Sequence, residues 1–474
     1  MSSTPFTLAI DQGTHATRAL VFDHEGRVET SAYRPLALHR LSADMIEQDT
    51  EEIRVSLHAV VQEVLENPAV RKRGIAQAGL AMQRSSVAAW DRETGEPLGP
   101  MLSWQDRRVA GWLQRFQPEA GQIKDLTGLP LSPHYGAGKL RWLVDNVPAV
   151  QQAMTTGRLA YGPLAGFVLF HLLRERLVQV DHADAARTQL WNIDDRDWDP
   201  WLLDLFGVPP EPLPHCQPIC HHYGQLSAAE IPLMAVNGDQ NAAVYGLGNP
   251  LPNTGIVNLG TGAFILLPTG VERVRHPALL SGLNNSDALS GEYTLEGTVN
   301  GAGSAVSWAM ETWQMPDMLA QLPAWLDRPE APPLFMNTIG GLGSPWWQSG
   351  PEPTIVGEGQ PWQWAVALIE SILFLLQANL DTMMAAGLSA ERLRVGGGLA
   401  RLDGMCQRMA DLTGCVVYRP EETEATARGV AWLAAGRPDH WSEIQQGKTF
   451  LPQPNPALRD RYQQFLVALK AIIE

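Results

Sequence analysis

Two short turns, Asp11-Gln-Gly-Thr-His-Ala-Thr-Arg18 and Asn258-Leu-Gly-Thr-Gly-Ala263, lie far apart in the chain and share one local grammar. Each follows an apolar strand (Phe6–Ile10, Gly255–Val257) and runs straight into another (Ala19–Phe22, Phe264–Leu267). A Gly-Thr turn between strands lets backbone N–H groups approach an anion without interference from Cβ, and the hydroxyl adds a donor. Either turn alone reads equally well as an ordinary hairpin. The pair points to a duplicated α/β fold with a nucleotide's phosphate tail clamped between its halves. A chain of 474 residues suits two domains of roughly 200–250 residues each. The break expected around Gly246-Leu-Gly-Asn-Pro-Leu-Pro252 gives domains at residues 1–248 and 249–474.

Charge narrows the partners. A formal net charge of −16 argues against nucleic acid, whose backbone needs clustered cations, but not against a nucleotide held by a few amides and one Mg²⁺. The N-terminus lacks a basic start followed by an apolar run, so no secretion signal is expected. The most apolar stretches, Leu159–Leu173 and Trp364–Leu380, are shorter than a membrane span requires and read as buried helices. Four cysteines in so long a chain form no disulfide framework, which fits a reducing cytoplasm. His215-Cys216 and Cys220-His221-His222 lack a second ligand pair at zinc spacing and read as a structural loop.

The order of elements repeats at domain scale. After the first hairpin come a third strand near Thr30–Ala37 and a helix over Asp49–Glu66, whose acidic start suits a helix N-terminus. Strands follow at Ala76–Met82 and Val87–Trp90, then mainly helical text from Val109 to Glu175. The second half places helices at Ala302–Glu311 and Trp364–Ala386, a strand at Leu393–Val395 and a helix at Leu402–Thr413.

Nine fragments, in order, carry a resemblance to a known family. They begin with Ala78-Gly-Leu-Ala-Met-Gln-Arg84, Trp90-Asp-Arg-Glu-Thr-Gly-Glu-Pro97, Ser103-Trp-Gln-Asp-Arg-Arg108 and Lys139-Leu-Arg-Trp-Leu-Val-Asp-Asn146. Ala186-Arg-Thr188, Gly238-Asp-Gln240, Gly260-Thr-Gly262, Gly340-Gly-Leu-Gly343 and Gly396-Gly-Gly398 follow. The text resembles the FGGY carbohydrate kinases, and the glycerol kinase branch most. The resemblance implies two ribonuclease H-like (actin-like ATPase) domains flanking a central cleft that closes on substrate. It also implies ATP and Mg²⁺ as cofactors and a small polyol or sugar as partner, with no nucleic acid or membrane; a homodimer is left open.

Asp239 follows the apolar strand Leu233–Val236, where a carboxylate can take a proton from an attacking hydroxyl. By resemblance it is the catalytic base; the alternative is a helix-capping aspartate. Asp11, with Asp239, is implied in holding Mg²⁺, mostly through water. Gly13, Thr14 and Arg18 fall at phosphate positions, although Arg18 also reads as a surface arginine. Gly260, Thr261 and Gly262 form the second cradle, and Gly303, Gly397 and Gly398 match glycines near the nucleotide. Arg84, Ser85, Trp104, His134, Tyr135, Asp239 and Gln240 map to the acceptor site. Ser85 and His134 depart from the branch, which has a glutamate and a tyrosine there; serine accepts one neutral hydrogen bond where a carboxylate accepts two strong ones. Ser307 and Leu402 replace amide side chains near the nucleotide. A rival reading is a non-catalytic actin-like ATP switch or degenerate kinase, which needs no such acceptor set.

Overall fold

The computed structural model describes residues 4–421, 424–443 and 447–473. The chain divides into two compact units. The first holds Met1–Pro250, Gly282–Tyr293 and Glu424–Ile444; the second holds Leu251–Ser281, Thr294–Thr423 and Gln445–Glu474. A single break at 248/249 therefore misses two stretches that return to the first unit.

The first unit is built on a six-stranded sheet. Strands β1 (Phe6–Gln12), β2 (Ala16–Phe22) and β3 (Val28–Pro35) form an antiparallel meander. Ile75–Met82 pairs parallel to β1, Pro232–Gly238 pairs parallel to Ile75–Met82, and Cys220–Gln225 closes that edge antiparallel. Every residue of β1 is buried, as a central strand covered on both faces requires. Helix α1 (Thr50–Glu66) packs on β2 and β3 through Ile53, Leu57, Val60, Val61 and Val64, an apolar stripe at helical spacing. Its N-cap Asp49 accepts the Glu51 N–H at 2.8 Å, as its acidic start led us to expect. The helix Ala425–Ala434 packs on β1, Ile75–Met82 and Pro232–Gly238.

The second unit repeats this order in a seven-stranded sheet. Thr254–Leu259 pairs antiparallel with Ala263–Gly270 and parallel with Arg392–Gly396, which pairs parallel with Val416–Pro420. Gly291–Val299 lies beside Ala263–Gly270, where β3 lies beside β2 in the first unit. The duplicated ribonuclease H-like arrangement is thus present in full. The helix Pro361–Ala385 is long and apolar enough to cross a membrane, but 89% of its apolar window is buried inside the fold.

Two local expectations fail. Leu159–Leu173 is not one helix: Leu159–Pro163 is a strand paired antiparallel with Val87–Asp91, and only Leu164–Leu172 is helical. An apolar run has no periodicity to separate strand from helix, and the neighbouring strand decides. The His/Cys segment is not a loop but two strands, with His215–Gln217 paired to Gln179–Asp181 and Cys220–Gln225 at the sheet edge. No group of three or more metal-ligating side chains occurs among the described residues.

Candidate functional site

In the first unit the β1–β2 turn is closed by Gly13 N–H donating to the Ala16 carbonyl at 2.9 Å. Asp11 and Arg18 face each other in the β1–β2 register and form an ion pair, and Arg18 also reaches the Glu424 carboxylate at 2.5 Å. Arg18 is thus neither free nor a plain surface arginine; two carboxylates hold it beside the turn. Thr14 is fixed from both ends, its hydroxyl accepting from Trp104 Nε1 at 2.9 Å and its carbonyl from Gln48 at 2.8 Å.

The implied acceptor residues lie together in the same unit. The parallel strand Pro232–Gly238 ends at Asp239, which opens a short helix with Gly238 as its N-cap. Arg84, just beyond Ile75–Met82, donates to Asn241 at 2.8 Å and to Gln240, and its Nε lies 3.7 Å from the Asp239 carboxylate. The Asp239 side chain remains 34% exposed, so a small molecule can reach it. The Trp104 and His134 rings lie 5.5 Å apart and the His134 and Tyr135 rings 5.0 Å apart, which links this wall to Thr14. Ser85 is buried, its hydroxyl has no protein partner, and its φ of 65° is left-handed. Asn241, Glu424 and Lys139 had been given no role from sequence. Asn241 adjoins Gly238-Asp-Gln240 and could have been found there; Glu424, 406 residues from its partner, could not.

In the second unit, Asn258–Ala263 forms the matching turn. Gly303 N–H donates to the Gly260 carbonyl at 2.9 Å and Ser304 N–H to the Thr261 carbonyl at 3.0 Å, so a helix start docks on the hairpin. A Cβ at Gly303 would stand 2.7 Å from the Gly260 carbonyl oxygen, a contact that backbone cannot relieve. The close approach is helix to hairpin, not helix to helix. Gly397 has φ +92° and leads into Gly398, which is exposed. Leu402 is buried in the core of this unit rather than presented to a ligand, whereas Ser307 is exposed and bonds back to the Gly303 carbonyl at 3.1 Å. Gly303→Ala is expected to lower the melting temperature, read by calorimetry, because the helix start and the hairpin must separate to admit the methyl group.

Residues 6–246 match the N-terminal domain of the FGGY family of carbohydrate kinases, and residues 255–436 match its C-terminal domain. The chain belongs to this family. FGGY kinases are ATP-dependent phosphotransferases acting on alcohol groups of carbohydrates and polyols, and this chain is one. It is 33% identical to a glycerol kinase of Alcanivorax borkumensis, covering 91% of this chain and 89% of that one. A glycerol kinase of Deinococcus radiodurans is 32% identical over 97% of this chain and 96% of its own length. The fold matches that of Plasmodium falciparum glycerol kinase with ADP (TM-score 0.91, 24% identity, 99% of both chains). It also matches a xylulose kinase from Lactobacillus acidophilus (TM-score 0.83, 21% identity, 99% and 97%).

Burial and neighbouring charges perturb the titratable groups of this FGGY kinase. The surroundings of Asp239 strip solvent from its carboxylate and raise its pKa above the ordinary 3.8; Arg84 and the Gln240 N–H pull the other way, and Asp11 adds to the rise. Asp11 is also raised by burial, against the pull of Arg18. Burial, reinforced by Lys139 and Arg107, pushes His134 well below 6.5, so its ring is neutral at neutral pH.

Proposed function

We propose that this FGGY kinase transfers the γ-phosphoryl group of ATP to a terminal hydroxyl of a small polyol or sugar, with Asp239 as general base. The observation that carries the reading is Asp239 itself, a reachable carboxylate at the end of a central parallel strand, 3.7 Å from Arg84 and with its pKa raised. The acceptor proton passes to Asp239, its oxygen bonds to the γ-phosphorus, and ADP leaves. Arg84 and Gln240 orient acceptor hydroxyls, while Ser85, Trp104, His134 and Tyr135 shape the surrounding wall.

Gly13, Thr14 and Arg18 are assigned to phosphate oxygens, with Arg18 trading a carboxylate contact for the transferring group. Gly260, Thr261 and Gly262 offer a second set of amides and a hydroxyl, and Gly303, Gly397 and Gly398 give close backbone access to the nucleotide. Asp11 and Asp239 would hold Mg²⁺ mostly through water, since the ion favours hard oxygen donors. When bound, the ion would neutralise phosphate charge. The same reading places the enzyme in the cytoplasm, where its free cysteines stay reduced.

The glycerol kinase relatives support a polyol acceptor. Ser85 and a neutral His134 make this wall less anionic than a carboxylate would, and the choice among polyols, ketoses and sugar acids follows from them. The deciding assay measures ADP release over acceptors of three to seven carbons. One acceptor class is expected to stand well above the water background; ADP release indifferent to all of them would reject the reading.

A further inference from the structure

Lys139 sits at no exposure in the first turn of the helix Gly136–Asn146. Its Nζ donates to the Ser85 carbonyl at 3.1 Å and to the His134 carbonyl at 2.7 Å. Asp106, the carboxylate whose charge acts on it, is already engaged by the Ile46 N–H at 2.7 Å and by Arg108 at 2.8–3.0 Å. Burial, with Arg107 adding to it, pushes the amine well below its ordinary 10.5. A lysine placed this way disfavours the fold unless its donors are used, and both known acceptors are backbone carbonyls of acceptor-site segments.

Both carbonyls belong to residues assigned above to the acceptor site. Ser85 keeps a left-handed backbone without being glycine, a conformation that persists only when neighbours enforce it. Its hydroxyl is buried and partnerless, although the next residue, Ser86, bonds to Gln83 at 3.1 Å and to the Trp104 N–H at 3.0 Å. His134 precedes the helix, and its ring lies tilted against that of Trp104. One amine therefore joins the turn after Ile75–Met82 to the loop before Gly136–Asn146.

We propose that Lys139 is a positioning residue for the phosphoryl acceptor: by bridging the Ser85 and His134 carbonyls it holds the Ser85 hydroxyl and the His134 ring in the geometry that selects the substrate. The inference rests on the acceptor site assigned above. Lys139 touches no substrate; it acts through Ser85 and His134.

The test is calorimetric binding of glycerol, erythritol, D-xylulose and D-gluconate, without nucleotide, to the full chain and to Lys139→Met, which keeps the stem and removes the donors. Acceptor Kd is expected to weaken at least tenfold and the order of preference among the four to change, with ATP Kd within twofold of the parent. In the double variant with Ser85→Ala the two losses are expected to be less than additive, because one residue works through the other. Unchanged acceptor Kd, parallel weakening of acceptor and ATP, or strictly additive losses would overturn the role. Should Lys139→Met not fold, Lys139→Gln, which keeps a shorter donor, carries the same comparison. A parent that binds an acceptor without phosphorylating it overturns the kinase reading alone; a parent that binds none of the four overturns both.

Discussion

Asp239→Asn is expected to lower kcat by about a thousandfold, about 4 kcal/mol of barrier, within the range a positioned general base contributes. The substitution preserves shape and leaves an oxygen able to accept the Gln240 N–H, a bond of 2.7 Å in the parent. It removes the negative charge and the basicity of the carboxylate. The melting temperature should therefore stay near the parent value. The pH profile supplies an independent check. The base must be ionised, so kcat/KM falls as pH drops through its pKa, and that acid limb lies above the ordinary carboxylate value of 3.8 because burial outweighs Arg84. Arg84→Gln removes a charge that favours the carboxylate, so the limb should move to still higher pH. Undiminished kcat in Asp239→Asn, or a limb that moves down in Arg84→Gln, would remove Asp239 from the chemistry.

The second large effect is on stability rather than rate. Arg428 has no exposure, and its guanidinium donates to the carbonyls of Gly26 at 3.1 Å, of Gly246 and of Trp441, while lying 5.6 Å from the Trp441 ring. It ties a β-turn, the end of the segment after Asp239 and the chain beyond its own helix. Arg428→Met keeps much of the stem and leaves three buried carbonyls without these donors. Relief from burying a cation offsets part of the loss, so the net destabilisation is about 3 kcal/mol. A melting temperature roughly 6–12 °C lower is expected by calorimetry. Activity at low temperature should largely survive, because Arg428 touches none of the implied reacting groups. A variant as stable as the parent would show that the carbonyls find other donors.

These two residues differ in how far sequence could reveal them. Asp239 is flanked by an apolar strand and by Gln240, so its position at a strand end follows from its immediate neighbours. Arg428 bonds to a residue 402 positions away, and nothing in the text around either one announces the contact. The same holds for Arg18, which reads alone as a strand residue and acquires its setting from Glu424. Lys139 illustrates a middle case. The motif Lys139-Leu-Arg-Trp-Leu-Val-Asp-Asn146 was visible, but a helix-initial lysine is ordinarily solvated, and only burial against Ser85 and His134 gives it work to do.

Short-range chemistry explains what the amino-acid order determined unaided: the paired Gly-Thr turns, the repeated strand order, helix α1 with its Asp49 cap, and the carboxylate after Leu233–Val236. Turn residues, apolar period and caps act within a few positions, so each is written where it operates. Tertiary packing alone decided that Leu159–Pro163 is a strand, that Leu402 belongs to a core, and that Gly282–Tyr293 and Glu424–Ile444 return to the first unit. Each of those outcomes depends on a partner far along the chain, and the free energy of burying surface against that partner exceeds any local preference.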